Sequence, residues 1–174
     1  MTGPSGASPE SAAMTHPRLP ARVSDLSLRQ MLDIPPMWFA AHAVAALALS
    51  RALAPTLGDW ARVPGWALIA AGIGLVLWAA WHFRRARTTI VPHLAPQALV
   101  TAGPYGLSRN PIYLGDALVL AGLCLVWQCW PALALVPLFV WVITARFIHP
   151  EEARLSVAFG EAFHDWEARV RRWV

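Results

Sequence analysis

The chain contains no lysine; all 14 of its basic residues are arginine. Charge of either sign is scarce, at 14% of residues, where a soluble domain carries about 25%. That is too little charge to cover a water-facing surface. With 57% hydrophobic residues and a mean hydropathy of +0.46, the composition places the chain among membrane proteins. The arginines flank apolar stretches rather than forming a patch, so the net charge of +4 does not point to nucleic acid.

Cysteine is nearly absent. Cys124 and Cys129 lie in or beside an apolar run, without CxxC spacing and without neighbouring histidines. A disulfide framework or metal site is not expected, and both read as buried, inert thiols. His93, His149 and His164 likewise show no metal-site spacing. The first 35 residues lack an apolar run behind a basic start, so no secretory signal is expected there. They are rich in Pro, Ser and Ala and read as a disordered or interfacial cytoplasmic tail, with a short helix near 24–32.

What is abundant is apolar sequence and tryptophan, ten residues in all. Indole rings favour the membrane–water interface. A length of 174 residues suggests one domain, here 36–174. Apolar spans fall at about 37–53 and 60–83. Each approaches the roughly 20 residues that cross a bilayer. Residues 114–147 are also almost wholly apolar. As one helix they would reach about 50 Å, against a core of about 30 Å. The QCWP at 128–131 is the natural break. It yields spans at about 112–127 and 130–147, the latter expected to kink at Pro137. The expected fold class is all-α, a polytopic membrane protein with about four transmembrane helices and a C-terminal cytoplasmic amphipathic segment.

Four spans place both termini on one side. Twelve arginines fall on that side, and only Arg51 and Arg62 on the other. The positive-inside rule then assigns the tail, the 84–111 loop and the C-terminus to the cytoplasm, an inner-membrane placement in a bacterium.

After the last span, HPEEARLSVAFGEAFHDWEARVRRWV reads as a helix starting at Pro150, with Glu151 and Glu152 at the positive end of its dipole. Leu155, Phe159, Phe163, Trp166, Val170 and Trp173 form one apolar stripe, as on a helix lying on the membrane. Gly160 is expected to break or bend it. Glu151 falls on the stripe, where a carboxylate needs a partner: an arginine of the protein, or a cationic or hydrogen-bonding ligand.

Between the second and third spans stands GPYGLSRNPIYLG, 103–115. Its Gly-Pro and Asn-Pro dipeptides are turn signals, and Pro111 suits the first position of a helix. Tyr105 and Tyr113 supply aromatic faces with hydroxyls, Asn110 an amide and Arg109 a fork of donors. The segment suits either a nucleoside with a carboxylate tail or an interfacial turn in the aromatic belt.

The run QALVTAGPYGLSRNPIYLG, followed after a helical hairpin by PEEARLSVAFGEAFHDWEARVRRW, resembles the isoprenylcysteine carboxyl methyltransferase family and the related phospholipid N-methyltransferases. The resemblance covers about residues 84–173. It implies an integral membrane methyltransferase using S-adenosyl-L-methionine, with S-adenosyl-L-homocysteine as product. The acceptor would be a hydrophobic, lipid-like carboxylate, amine or thiol drawn from the bilayer. Carried over by motif position, the cofactor motifs lie at 97–115 and 150–173. Gln97, Ala98, Leu99 and Val100 would line the nucleoside. Tyr105 would contact it across the turn, and Asn110, Pro111, Ile112 and Tyr113 would form a wall. Glu151 would hold the polar end, with Glu152 beside it. Arg146 either pairs a substrate carboxylate or ends the last span. Position 110 is Asn where the prenylcysteine enzymes have His, and the aromatic positions of the last motif are Phe163 and Trp166. The alternative is a non-catalytic membrane scaffold that kept the fold. Asp116 and His82 are further polar residues near the interface, and His42 reads as helix-packing glue.

Overall fold

The computed structural model describes residues 33–53, 57–85 and 98–174. The expected tail up to residue 32, together with Gln97 and His93, lies outside the described residues. Among the described residues all regular structure is helical. In chain order the α-helices are α1 (Pro35–Ala52), α2 (Arg62–Arg85), α3 (Pro111–Val126), α4 (Leu135–Ile143), α5 (His149–Phe159) and α6 (Glu161–Glu167).

The dominant pair is α2 against α3, joined through backbone rather than side chains. Gly65 faces Gly122, and Gly72 faces Gly115, so the two helices run antiparallel. A methyl group on Gly72 would stand 2.5 Å from the Gly115 carbonyl oxygen, and one on Gly122 2.5 Å from that of Gly65. Each helix repeats its glycine after seven residues, two turns or about 10.5 Å. Small residues at this spacing let backbones approach closely, and close approach holds helices together where burial from water contributes little.

α1 packs against α3 and α4. His42 is buried; its Nδ1 bonds the Trp38 carbonyl at 2.8 Å, and its ring stands edge-on to Phe139 at 5.4 Å. A core of Ala46, Tyr113, Leu120, Cys124, Phe139, Ile143 and Phe147 joins α1, α3 and α4. Both cysteines are buried and free.

Two helical stretches, Asp59–Arg85 and Trp130–Phe159, are long and apolar enough to cross a membrane, and Pro111–Val126 is a shorter apolar helix. The break between α3 and the next stretch falls where the QCWP placed it. Gln128 takes a positive φ of 55°, and its amide donates to Asp59 Oδ1 at 3.0 Å. The second stretch contains Pro131, Pro137 and Pro150. Pro137 sits in the first turn of α4, where a missing N–H costs no helical bond. Pro150 stands in the first positions of α5, as expected, but α5 follows the preceding stretch without a break. Thr144–Ile148 forms a π turn in which the His149 N–H reaches the Thr144 carbonyl, and the chain runs on helically into α5. Widening the turn just before Pro150 relieves the clash its ring would make with the preceding turn.

The helix does end at Gly160, with φ 51° and ψ −125°. A side chain is disfavoured there by the backbone alone, because the space around it is open. The break expected at Gly160 divides the C-terminal segment into α5 and α6. Its apolar stripe faces the protein rather than lipid. Leu155, Phe159, Phe163, Trp166 and Val170 pack on Ala79, Phe83, Leu99, Val100, Tyr105 and Ile112.

Candidate functional site

The site is built where that packing brings the two sequence motifs together. The first motif enters through a 3-10 turn, Gly103–Gly106. Gly103 has a φ of +64°, and the His82 ring occupies the place of its missing side chain, so both backbone and neighbour require glycine. The turn directs Tyr105 inward, edge-on to Phe83 at 5.2 Å. Trp166 of α6 donates its Nε1–H to the Tyr105 carbonyl at 3.0 Å, a bond between residues 61 positions apart in sequence.

Tyr105 is 5% exposed, and its hydroxyl is buried with no hydrogen-bond partner among the described residues. Burial, with the Glu151 carboxylate second, pushes this hydroxyl up from the usual tyrosine range and keeps it a donor. Tyr113, buried in the first turns of α3, interacts electrostatically with Glu151, Asp116, Arg154 and Tyr105. Glu151 accepts no hydrogen bond among the described residues; its charged neighbours are Arg154 and Glu152. The Glu151 carboxylate thus acts on both tyrosine hydroxyls; Tyr105 packs with Leu99, Val100 and Ile112, and Tyr113 with the core shared by α1 and α4. Ala98 is half-buried beside them in sequence, and Pro111 is buried as the first residue of α3.

Around this group runs a ring of polar contacts. Ser108, only 1% exposed, donates to the Arg172 carbonyl at 3.3 Å and accepts the Asn110 N–H at 3.1 Å. The Asn110 Nδ2 donates to the same carbonyl at 3.0 Å, and the Arg109 N–H to the Arg171 carbonyl at 2.9 Å. Arg109 pairs with Glu167 at 2.8 Å and Glu152 at 3.3 Å. Glu152 pairs with Arg172 at 2.7 Å. The hydrogen bonds it donates to Glu152 hold the Arg172 guanidinium above its usual pKa. The His164 hydrogen bond, followed by Arg109, holds Glu167 below the usual carboxylate range.

Of the sequence-predicted residues, Tyr105 packs with Leu99, Val100 and Ile112, Tyr113 lies in the neighbouring core, and Glu151 acts electrostatically on both tyrosines. Asn110 turns its amide to the Arg172 backbone, and Glu152 turns its carboxylate to two arginines. Arg146 stands apart. Its Nε donates to Asp33 at 2.7 Å, its guanidinium lies 5.2 Å from the Trp38 ring centre, and its side chain is 51% exposed. Sequence reasoning missed Trp166 as a donor to Tyr105, and Arg172 as the partner of Glu152 and of the motif loop. The stripe identified Trp166 only as apolar, and nothing in the RR at 171–172 distinguishes the arginine that folds back. Among the described residues no cluster of His, Cys, Asp and Glu is arranged to hold a metal.

Comparison with known proteins gives the family. The family model described as phospholipid methyltransferase matches residues 60–162, from the start of α2 to the beginning of α6. No curated protein matches the chain significantly. The chain belongs to the phospholipid methyltransferase family, and so to the membrane methyltransferases.

Proposed function

We propose that the chain transfers a methyl group from S-adenosyl-L-methionine to a hydrophobic acceptor drawn from the bilayer. The observation that carries this reading is that the second motif packs on the first: Phe163 and Trp166 close over Tyr105, Leu99, Val100 and Ile112, and the Glu151 carboxylate acts electrostatically on both Tyr105 and Tyr113. The residues fit the cofactor. The orphaned Tyr105 hydroxyl is a donor without a partner among the described residues, which a buried group needs. The Glu151 carboxylate suits a cationic group, and Leu99, Val100 and Ile112 offer an apolar wall. In this reading Ala98 and Pro111 complete the nucleoside side, together with Gln97, and Asn110 supports the wall through its backbone contacts.

When bound, the cofactor supplies a methyl group on a positive sulfonium. The work of the chain is then positional. Glu151 draws the positive end inward, and Tyr105 and Tyr113 fix it with donors and ring faces. The packed stripe of α5 and α6 excludes water. Transfer needs an acceptor about 3–3.5 Å from the methyl and in line with it, and no protein nucleophile. In the multi-pass topology we favour, with four spans and a cytoplasmic site, the acceptor reaches the group sideways from lipid and the cofactor from water. Arg146, as held by Asp33, serves to end the last span.

Purified protein incubated with membrane lipid extract and methyl-labelled cofactor tests this. Label entering the organic phase is expected. A folded protein that transfers none to any membrane extract would be a scaffold instead.

A further inference from the structure

α5 carries two adjacent carboxylates, and the structure separates them. Successive helical positions differ by about 100°, so anchoring one side chain sets the direction of the other. Glu152 is anchored. Arg172 donates to it through Nε at 3.1 Å to each carboxylate oxygen and through Nη2 at 2.7 Å, and Arg109 reaches it at 3.3 Å. The exposures of Glu152 and Arg109 are only 14% and 10%, so these charges are poorly screened and an unpaired one is costly.

The anchor closes on itself. The backbone carbonyl of Arg172 holds Ser108 and Asn110, which flank Arg109, and Arg109 returns to Glu152. This closed ring joins α5, the C-terminal segment and the loop that carries Tyr105 on one side and Tyr113 on the other. The fold has other supports: the glycine contacts of α2 with α3 and two apolar clusters.

We propose that Glu152, Arg109 and Arg172 are positioning residues, a salt-bridged clamp that sets the Glu151 carboxylate against Tyr105 and Tyr113. Glu152 is thus a support of the cofactor site rather than a ligand in it. The proposal rests on the cofactor reading above, and it makes the backbone at 171–172 part of the active-site frame.

The test uses full-length protein in detergent or nanodiscs and follows S-adenosylhomocysteine binding, the KM of each substrate, and the unfolding temperature. Glu152→Gln and Arg172→Gln should weaken cofactor binding about tenfold, the scale of coupling between contacting residues. The KM of the acceptor should hardly move. Arg172→Lys keeps one charged contact and should recover part of the loss; it also serves if Arg172→Gln does not fold. In a Glu151→Asp background, chosen to retain measurable binding, Arg172→Gln should add little, because both changes act on the same carboxylate. Full additivity, or wild-type affinity in both Gln variants, would overturn the clamp and leave the cofactor reading standing. Absence of binding by folded wild type would overturn both.

Discussion

Gly72 and Gly115 meet backbone to backbone, with no room between them for a methyl group on either. That contact sets how closely α2 and α3 approach, and α3 carries Tyr113 while the end of α2 carries Phe83 and His82 against the motif loop. Gly72→Ala should therefore force the helices apart and destabilise the protein by about 1–3 kcal/mol, the usual cost of overpacking. Gly74, one turn-half away with nothing within 4 Å, is the control: Gly74→Ala should be neutral or stabilising by up to about 1 kcal/mol. Thermal unfolding of the two variants in the same detergent checks the difference.

Gly103→Ala combines two penalties, a positive φ and a collision with His82. The variant should lose about 1–2 kcal/mol from backbone handedness alone and more from the collision. Adding His82→Ala should restore the steric part and leave the backbone part. If the double variant is no more stable than Gly103→Ala by denaturant unfolding, the collision is not what excludes a side chain at 103.

Trp166→Phe keeps a ring in the apolar cluster but removes the donor to the Tyr105 carbonyl. Leaving one buried acceptor unpaired costs about 1–3 kcal/mol. Because the carbonyl belongs to Tyr105 itself, cofactor affinity should fall along with stability. Paired calorimetry and unfolding measurements would show whether the two losses move together.

Glu167 gives the docked C-terminus a pH dependence. Its pKa is depressed in the folded protein, chiefly by His164 and then by Arg109. A depressed carboxylate stabilises the fold above its unfolded pKa, and that contribution disappears as pH falls through the folded value. The contribution should be intact at neutral pH and vanish below the ordinary carboxylate range. Amide exchange of residues 161–173 against pH, in wild type and Glu167→Gln, measures it; the variant should show a shallower acid limb.

Much of this was legible in the sequence. Runs of apolar residues located α1, α2 and α3 to within a few positions, because turn and polar residues bound each run. Pro111 marked the start of α3, and Gly160 marked a break because few other residues take its backbone angles. The seven-residue spacing of Gly65 with Gly72 and of Gly115 with Gly122 stands in the sequence too, but only the folded chain shows it as close helix packing. Other features depend on geometry that residue types do not encode. Pro150 marks the start of α5, but the π turn at Thr144–Ile148 that joins it to the preceding stretch does not show in the residue types. The stripe of α5 and α6 looked fit for a membrane surface, and only the folded chain shows that it covers Tyr105 and Val100. The pairing of Glu152 with Arg172, and of Arg146 with Asp33, links positions whose separations follow no helical rule.

The central claim is that Tyr105, Tyr113 and Glu151 form a cofactor site. Calorimetric titration of detergent-purified wild type, Glu151→Ala and Tyr113→Ala with S-adenosylhomocysteine tests it most directly. The account predicts binding on the order of micromolar, about 8 kcal/mol, that both substitutions abolish while the proteins stay folded. Folded wild type that binds nothing in detergent and in lipid, or variants that bind as well as wild type, would contradict it.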